Sequence, residues 1–281
     1  MHREHFEFPD KRYLHFVLHT LNASIRDKHL HSSIKYKAKR LMRKLAIFVE
    51  GQTELIFVER LLDAIAGVNR ILFIRYEARG GASYLRRLLK KGESAAHPDH
   101  KYFIQIIDCG TDNKVVSDIK DNYVSLVASG FEAIIGLRDL RGENHGQTLT
   151  QADLPRVLKL CNYGLKTVPV RVTLVIAVME LEAWFLAEHT HFLNIDKRLT
   201  CAFIQANHGF DPSTDDMEAR PQPSNDLSAI YNLVGKTYKK RRSYADRTIE
   251  ALDVARIYAE LGARLDSLQL LSSSIDSFLA T

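Results

Sequence analysis

Long apolar runs are missing from this chain. None of its 281 residues lies in a stretch approaching the roughly 18–20 apolar residues that a membrane helix requires. His15, His19 and Arg26 break up the one region where a secretory signal would sit. Cysteine is scarce: Cys109, Cys161 and Cys201 are widely spaced, odd in number and form no C-x-x-C pair. That excludes a disulfide framework and a cysteine-rich zinc site. Internal repeats and low-complexity tracts are absent as well. Gly235-Lys236-Thr237 has the end of a phosphate-binding loop, but position 230 is Ile rather than Gly and Leu227–Val234 reads as helix. Nucleotide hydrolysis by this chain is thereby disfavoured. These absences set the expectation of a cytoplasmic α/β protein with no membrane partner.

What is present is a real core, with 46% hydrophobic residues, and a net charge of +5, compatible with a polyanionic partner. The charge is unevenly placed. Residues 1–42 read as a basic N-terminal extension that also holds six of the twelve histidines. Either Met42 is the natural start or residues 1–41 are a poorly packed extension; an N-terminal helix packed on the core is the other reading. A second basic block runs Lys236-Thr237-Tyr238-Lys239-Lys240-Arg241-Arg242.

From Leu45 onward the apolar pattern alternates between strand and helix, which predicts a Rossmann-like parallel sheet with helices on both faces. Strands are expected at 45–49, 71–76, 103–107, 133–137 and 170–179. Helices are expected at 53–66, 115–128, 154–161 and from 181, with a basic helix at 83–91 after the Arg79-Gly80-Gly81 loop. Residues 43–190 form this expected α/β domain, and 191–281 read as a helical C-terminal region.

Ligands of an open parallel sheet gather at the carboxyl ends of its strands. Acidic residues fall there: Glu50 after the first strand, Asp139 after the fourth, and Glu180 and Glu182 after the fifth. If the last strand continues, the i, i+2 spacing puts Glu180 and Glu182 on one face. Glu54 lies one helical turn beyond Glu50. Such a cluster repels itself unless a cation is present, and hard oxygen ligands suit Mg²⁺ or Mn²⁺. The plain alternative for each acid is a helix-start or turn residue. Asp108 ends a strand but reads more simply as a loop cap, and Trp184 reads as core.

The segment Val49-Glu50-Gly51-Gln52-Thr53-Glu54 resembles the opening motif of TOPRIM domains, found in topoisomerases, primases and OLD-family nucleases. Ile134-Ile135-Gly136-Leu137-Arg138-Asp139 resembles the strand that carries the TOPRIM Asp motif. Glu180-Leu181-Glu182-Ala183 is similar to a Glu-x-Glu-Ala segment of small stand-alone bacterial TOPRIM-like proteins. The resemblance implies a metal-dependent nuclease, with Glu50, Asp139 and Glu182 catalytic and Glu50, Glu54, Asp139, Glu180 and Glu182 binding metal. It also implies a role in bacterial defence and an ABC-type ATPase as a separate partner. Arg141 stands where the usual motif has a second Asp, so it would weaken one metal position or hold a phosphate. Lys239, Lys240, Arg241 and Arg242 are the expected nucleic-acid contacts. The alternative is a non-catalytic, regulatory or nucleic-acid-binding subunit with a degenerate site.

Overall fold

In the computed structural model the described residues are 42–280, apart from 68, 82–83 and 141–148. Residues 1–41 and Arg141 lie outside them. Strand β1, Arg43–Val49, is fully buried from Leu45 to Val49 and forms the middle of a six-stranded sheet. A strand buried on both faces has no need of polar alternation, which explains the unbroken apolar run. The other strands are β2 (Ile71–Gly81), β3 (Tyr84–Glu93), β4 (Tyr102–Asp108), β5 (Ala133–Asp139) and β6 (Arg171–Ala177), in the order β3-β2-β4-β1-β5-β6. All neighbours are parallel except β2 and β3.

The antiparallel edge corrects the expectation of a basic helix at 83–91. Its doubled pattern, Leu85-Arg86-Arg87-Leu88-Leu89-Lys90-Lys91, suits a helix by spacing. Pairing with β2 imposes a two-residue period instead: Leu88 packs on the core, whereas Arg87 and Leu89 face solvent. Gly80 and Gly81, with φ of 95° and 118°, lead into the reversal. On the inner face Arg86 donates to the carbonyls of Gly80 and Cys109 and pairs with buried Asp118 at 2.6 Å.

Helices cover both sheet faces. On one face lie α1 (Gln52–Ala66) and α4 (Glu182–Ala187). With them pack α5 (His191–Ile195), α6 (Cys201–His208), α7 (Pro223–Asn232), α8 (Arg242–Ala251), α9 (Val254–Ala259) and α10 (Asp266–Ala280). These helices share one apolar cluster with Leu45, Ile47 and Val49 of β1. On the other face α2 (Asp112–Ala128) and α3 (Leu154–Asn162) pack against Ala46, Phe48 and Ile134. Alternating residues of β1 thus serve opposite cores. Among the described residues no helix is long and apolar enough to cross a membrane.

Candidate functional site

Parallel strands put their carboxyl ends at one edge. There Val49 is level with Asp108 on one side and Leu137 on the other. Glu50 therefore leaves β1 beside the end of β5, and its Oε2 accepts the Asp139 amide N–H at 3.1 Å. Gly51 starts α1, whose first turn carries Glu54 into the interior; a Cβ on Gly51 would stand 3.4 Å from Glu54 Oε2.

β6 does not continue through Glu180 and Glu182, which corrects the strand expected over 170–179. It ends at Ala177, and Met179 takes a left-handed φ of 61°. This conformation is uncommon for a side chain of that size. The bend drops the chain into α4, so the two glutamates converge through a turn rather than along a strand face. The Leu181 amide in that bend donates to Asp139 Oδ1 at 2.8 Å, tying the end of β5 to the start of α4.

The sixth strand and first helix supply only part of the site. The segment between α7 and α8 enters it with Tyr238 and Lys240. Tyr238 donates its hydroxyl to Glu182 Oε1 at 2.6 Å. Lys240 places its ammonium 3.2 Å from Asp139 Oδ2, 3.1 Å from Glu182 Oε2 and 3.7 Å from Glu180 Oε1. Its side chain is still 39% exposed. At the start of α7, the Ser224 amide donates to Glu180 Oε2 at 2.8 Å.

Among the described residues, Glu54, Asp139, Glu180 and Glu182 are all buried, and Lys240 is the cation that meets them. Burial pushes the Glu54 carboxyl up to about 8; Glu50 and Glu182 add to the rise, and Lys240 opposes it. Burial also holds Asp139 well above the usual carboxylate range, against the pull of Lys240 and with Glu54 and Glu182 reinforcing it. Burial works against the Lys240 charge, but Asp139, Glu182 and Glu54 outweigh it and raise its pKa. Burial thus favours the protonated forms of Glu54 and Asp139.

All five acids named from the sequence come together. Lys240, expected on a phosphate, instead contacts those acids. Lys239 and Arg241 are exposed, and Arg242 stands at the start of α8 near Asp246 at 3.6 Å. Asp108 caps its own loop by accepting the Gly110 amide N–H at 2.8 Å. Trp184 is fully buried against Phe57, with ring centroids 5.8 Å apart. Tyr238 and the ion-pairing role of Lys240 escaped the sequence reading. The only local signal was their i, i+2 spacing within an otherwise polar basic block.

A hard divalent cation fits the donor chemistry. Glu182 Oε2 is buried, takes no hydrogen bond and is met by the Lys240 ammonium alone among the described residues. Other carboxylate oxygens are engaged by the amides of Leu181, Ser224 and Asp139 and by the Tyr238 hydroxyl. Among the described residues no three His, Cys, Asp or Glu side chains form a ready-made metal-binding set. Comparisons with protein families, curated proteins and solved structures give no match.

Proposed function

We propose that the protein is a metal-dependent nuclease of TOPRIM type, acting on DNA or RNA phosphodiesters. The observation that carries this reading is the meeting of Glu50, Glu54, Asp139, Glu180 and Glu182 at one sheet edge, with more buried carboxylate than Lys240 can neutralise. Mg²⁺ or Mn²⁺ held by these carboxylates would activate water and offset charge on the reacting phosphate. The Asp139 and Leu181 amides fix the acids at the strand ends, and Tyr238 orients Glu182. Glu50, half-exposed at the mouth of the cluster, is placed to face the substrate or to take up a proton. An ABC-type ATPase partner and a place in bacterial defence belong to the same proposal and rest on the motif resemblance.

Glu50→Gln keeps the size and loses the charge. It is expected to lower cleavage of plasmid or oligonucleotide with Mn²⁺ by at least about 10²-fold, the lower end of what acid–base help contributes. Binding of the same nucleic acid in EDTA should persist. Wild-type cleavage rates in a purified Glu50→Gln protein would sink the reading.

The second reading is a non-catalytic subunit. The Lys240 ammonium favours it, because it already stands among Asp139, Glu180 and Glu182, where a metal ion would otherwise sit. Calorimetric titration with Mn²⁺ separates the two: a nuclease binds the ion and loses it on Asp139→Asn, whereas an inert scaffold gives no heat of binding in either protein.

A further inference from the structure

The carboxyl edge of the sheet carries a second charged feature, outside the acidic cluster. β2 stays level with β4 as far as the pair Glu77 and Asp108, then runs on through Ala78, Arg79, Gly80 and Gly81 before turning back as β3. Four further residues at about 3.3 Å each make an arm standing roughly 13 Å beyond the sheet edge. The arm is anchored. Ala78 and Leu88 pack on the α2–α3 face, and Arg86 ties its inner side to Asp118 and to the Cys109 carbonyl.

Its outer side is cationic. Arg79 and Arg87 are direct cross-strand partners, and both are exposed. Like charges opposite each other destabilise a strand pair. Arg79 and Lys91 both lean on the single carboxylate of Glu77, at 2.7 and 2.8 Å. Arg87 has no carboxylate partner among the described residues. Three cations therefore face two carboxylates on this surface, Glu77 and the neighbouring Asp108.

The orientation places that surface toward the site. Glu77 pairs with Asp108, and Asp108 with Val49, so all three side chains leave the same face of the sheet. Val49 points into the α1 side, the side that holds Glu54, Glu182 and Lys240. From β1 to β2 is two strand spacings, about 10 Å. A nucleic acid with one phosphate at the acidic edge would meet the arm within a few nucleotides.

We infer that Arg79, Arg87 and Lys91 on the outer face of the β2–β3 arm bind the phosphate backbone of a nucleic acid that crosses the acidic edge. This rests on the nuclease reading for what happens at that edge, though not for the binding itself. A backbone is the fitting occupant because its regularly spaced anions would separate the two opposed guanidiniums. Two exposed arginines also offer no fixed geometry for reading base edges.

The test is binding of a fluorescein-labelled single-stranded oligonucleotide, followed by anisotropy in EDTA across a salt series. Arg79→Ala/Arg87→Ala is expected to bind several-fold more weakly. The magnitude of its log–log salt slope should fall by about 1.4, two single-strand contacts at roughly 0.7 each. Lys159→Ala/Lys197→Ala removes equal charge from exposed positions elsewhere and should keep the wild-type slope. Arg87→Gln alone disturbs no ion pair among the described residues and should lose about half as much slope, which guards against a folding defect in the double variant. An unchanged slope in the arginine variants, an equal loss in the lysine pair, or no binding by the wild type would overturn the inference. Cleavage with Mn²⁺ is read separately: slope loss without cleavage removes the nuclease and keeps the arm, and cleavage without slope loss does the reverse.

Discussion

At the scale of single residues, Glu54 has the clearest consequence. Its carboxyl is almost wholly buried, and its folded pKa of about 8 lies above the ordinary 4.5. An acid raised on folding binds more protons in the native state, so its contribution is fully favourable below pH 4.5 and is lost as pH rises through 8. Stability should therefore fall across that window. The interval sets an upper bound of about 5 kcal/mol, at about 1.4 kcal/mol per pH unit. Glu54→Gln removes the titrating group and should flatten the decline, in urea unfolding followed at pH 5 and pH 8. Equal pH profiles for the two proteins would show that Glu54 ionises freely in the fold.

At the scale of elements, β5 must hold the Asp139 amide against the Glu50 carboxylate while α2 presses on its back. Gly136 permits this approach: a Cβ there would stand 2.7 Å from Ile119 Cδ1, 3.0 Å from Leu174 Cδ1 and 3.2 Å from Val115 Cγ1. Gly136→Ala should overpack the interface and cost about 1–3 kcal/mol in denaturant unfolding. If the strand shifts to relieve the clash, Asp139 moves with it, and Mn²⁺ affinity should fall as well. A stability equal to wild type would mean that Ile119 and Val115 yield without strain. The same scale explains the misread arm. A helix and an edge strand both accommodate Leu85–Lys91, and pairing with β2 chose between them.

For the molecule as a whole, the helices after residue 190 are part of the α/β core. Phe192, Ile230, Tyr231 and Ile275 are fully buried in the same cluster as Ile47 and Trp184. Residues 43–281 form one compact unit, so unfolding should be cooperative. Trp184 is the single tryptophan and sits at the centre of that cluster. Its fluorescence and the far-UV circular dichroism should therefore report coincident thermal transitions. A helical transition well separated from the Trp184 signal would mean that the C-terminal helices melt as a domain of their own. Ile230→Ala, a deletion in α7, should lower both signals together and cost about 2–5 kcal/mol.

The sequence by itself determined most of the alternation of strand and helix, four acids after strand ends and Glu54 one turn into the first helix. Both follow from short-range rules: apolar runs mark buried strands, and in a parallel sheet every strand ends at the same edge. Glu50, Glu54 and Asp139 needed little more than their position after β1 and β5. Tertiary structure alone decided the partners of those acids. The bend at Met179 and the entry of Tyr238 and Lys240 depend on contacts between residues far apart in the chain, and the hairpin at Gly80 and Gly81 on pairing along β2. Lys240 shows the reason most plainly. In sequence it is one of four adjacent basic residues, and little beyond its i, i+2 spacing from Tyr238 distinguishes it from Lys239. Only the packing of α7 and α8 against the sheet carries it to Asp139, 101 positions away, where buried carboxylates make its charge worth the loss of water.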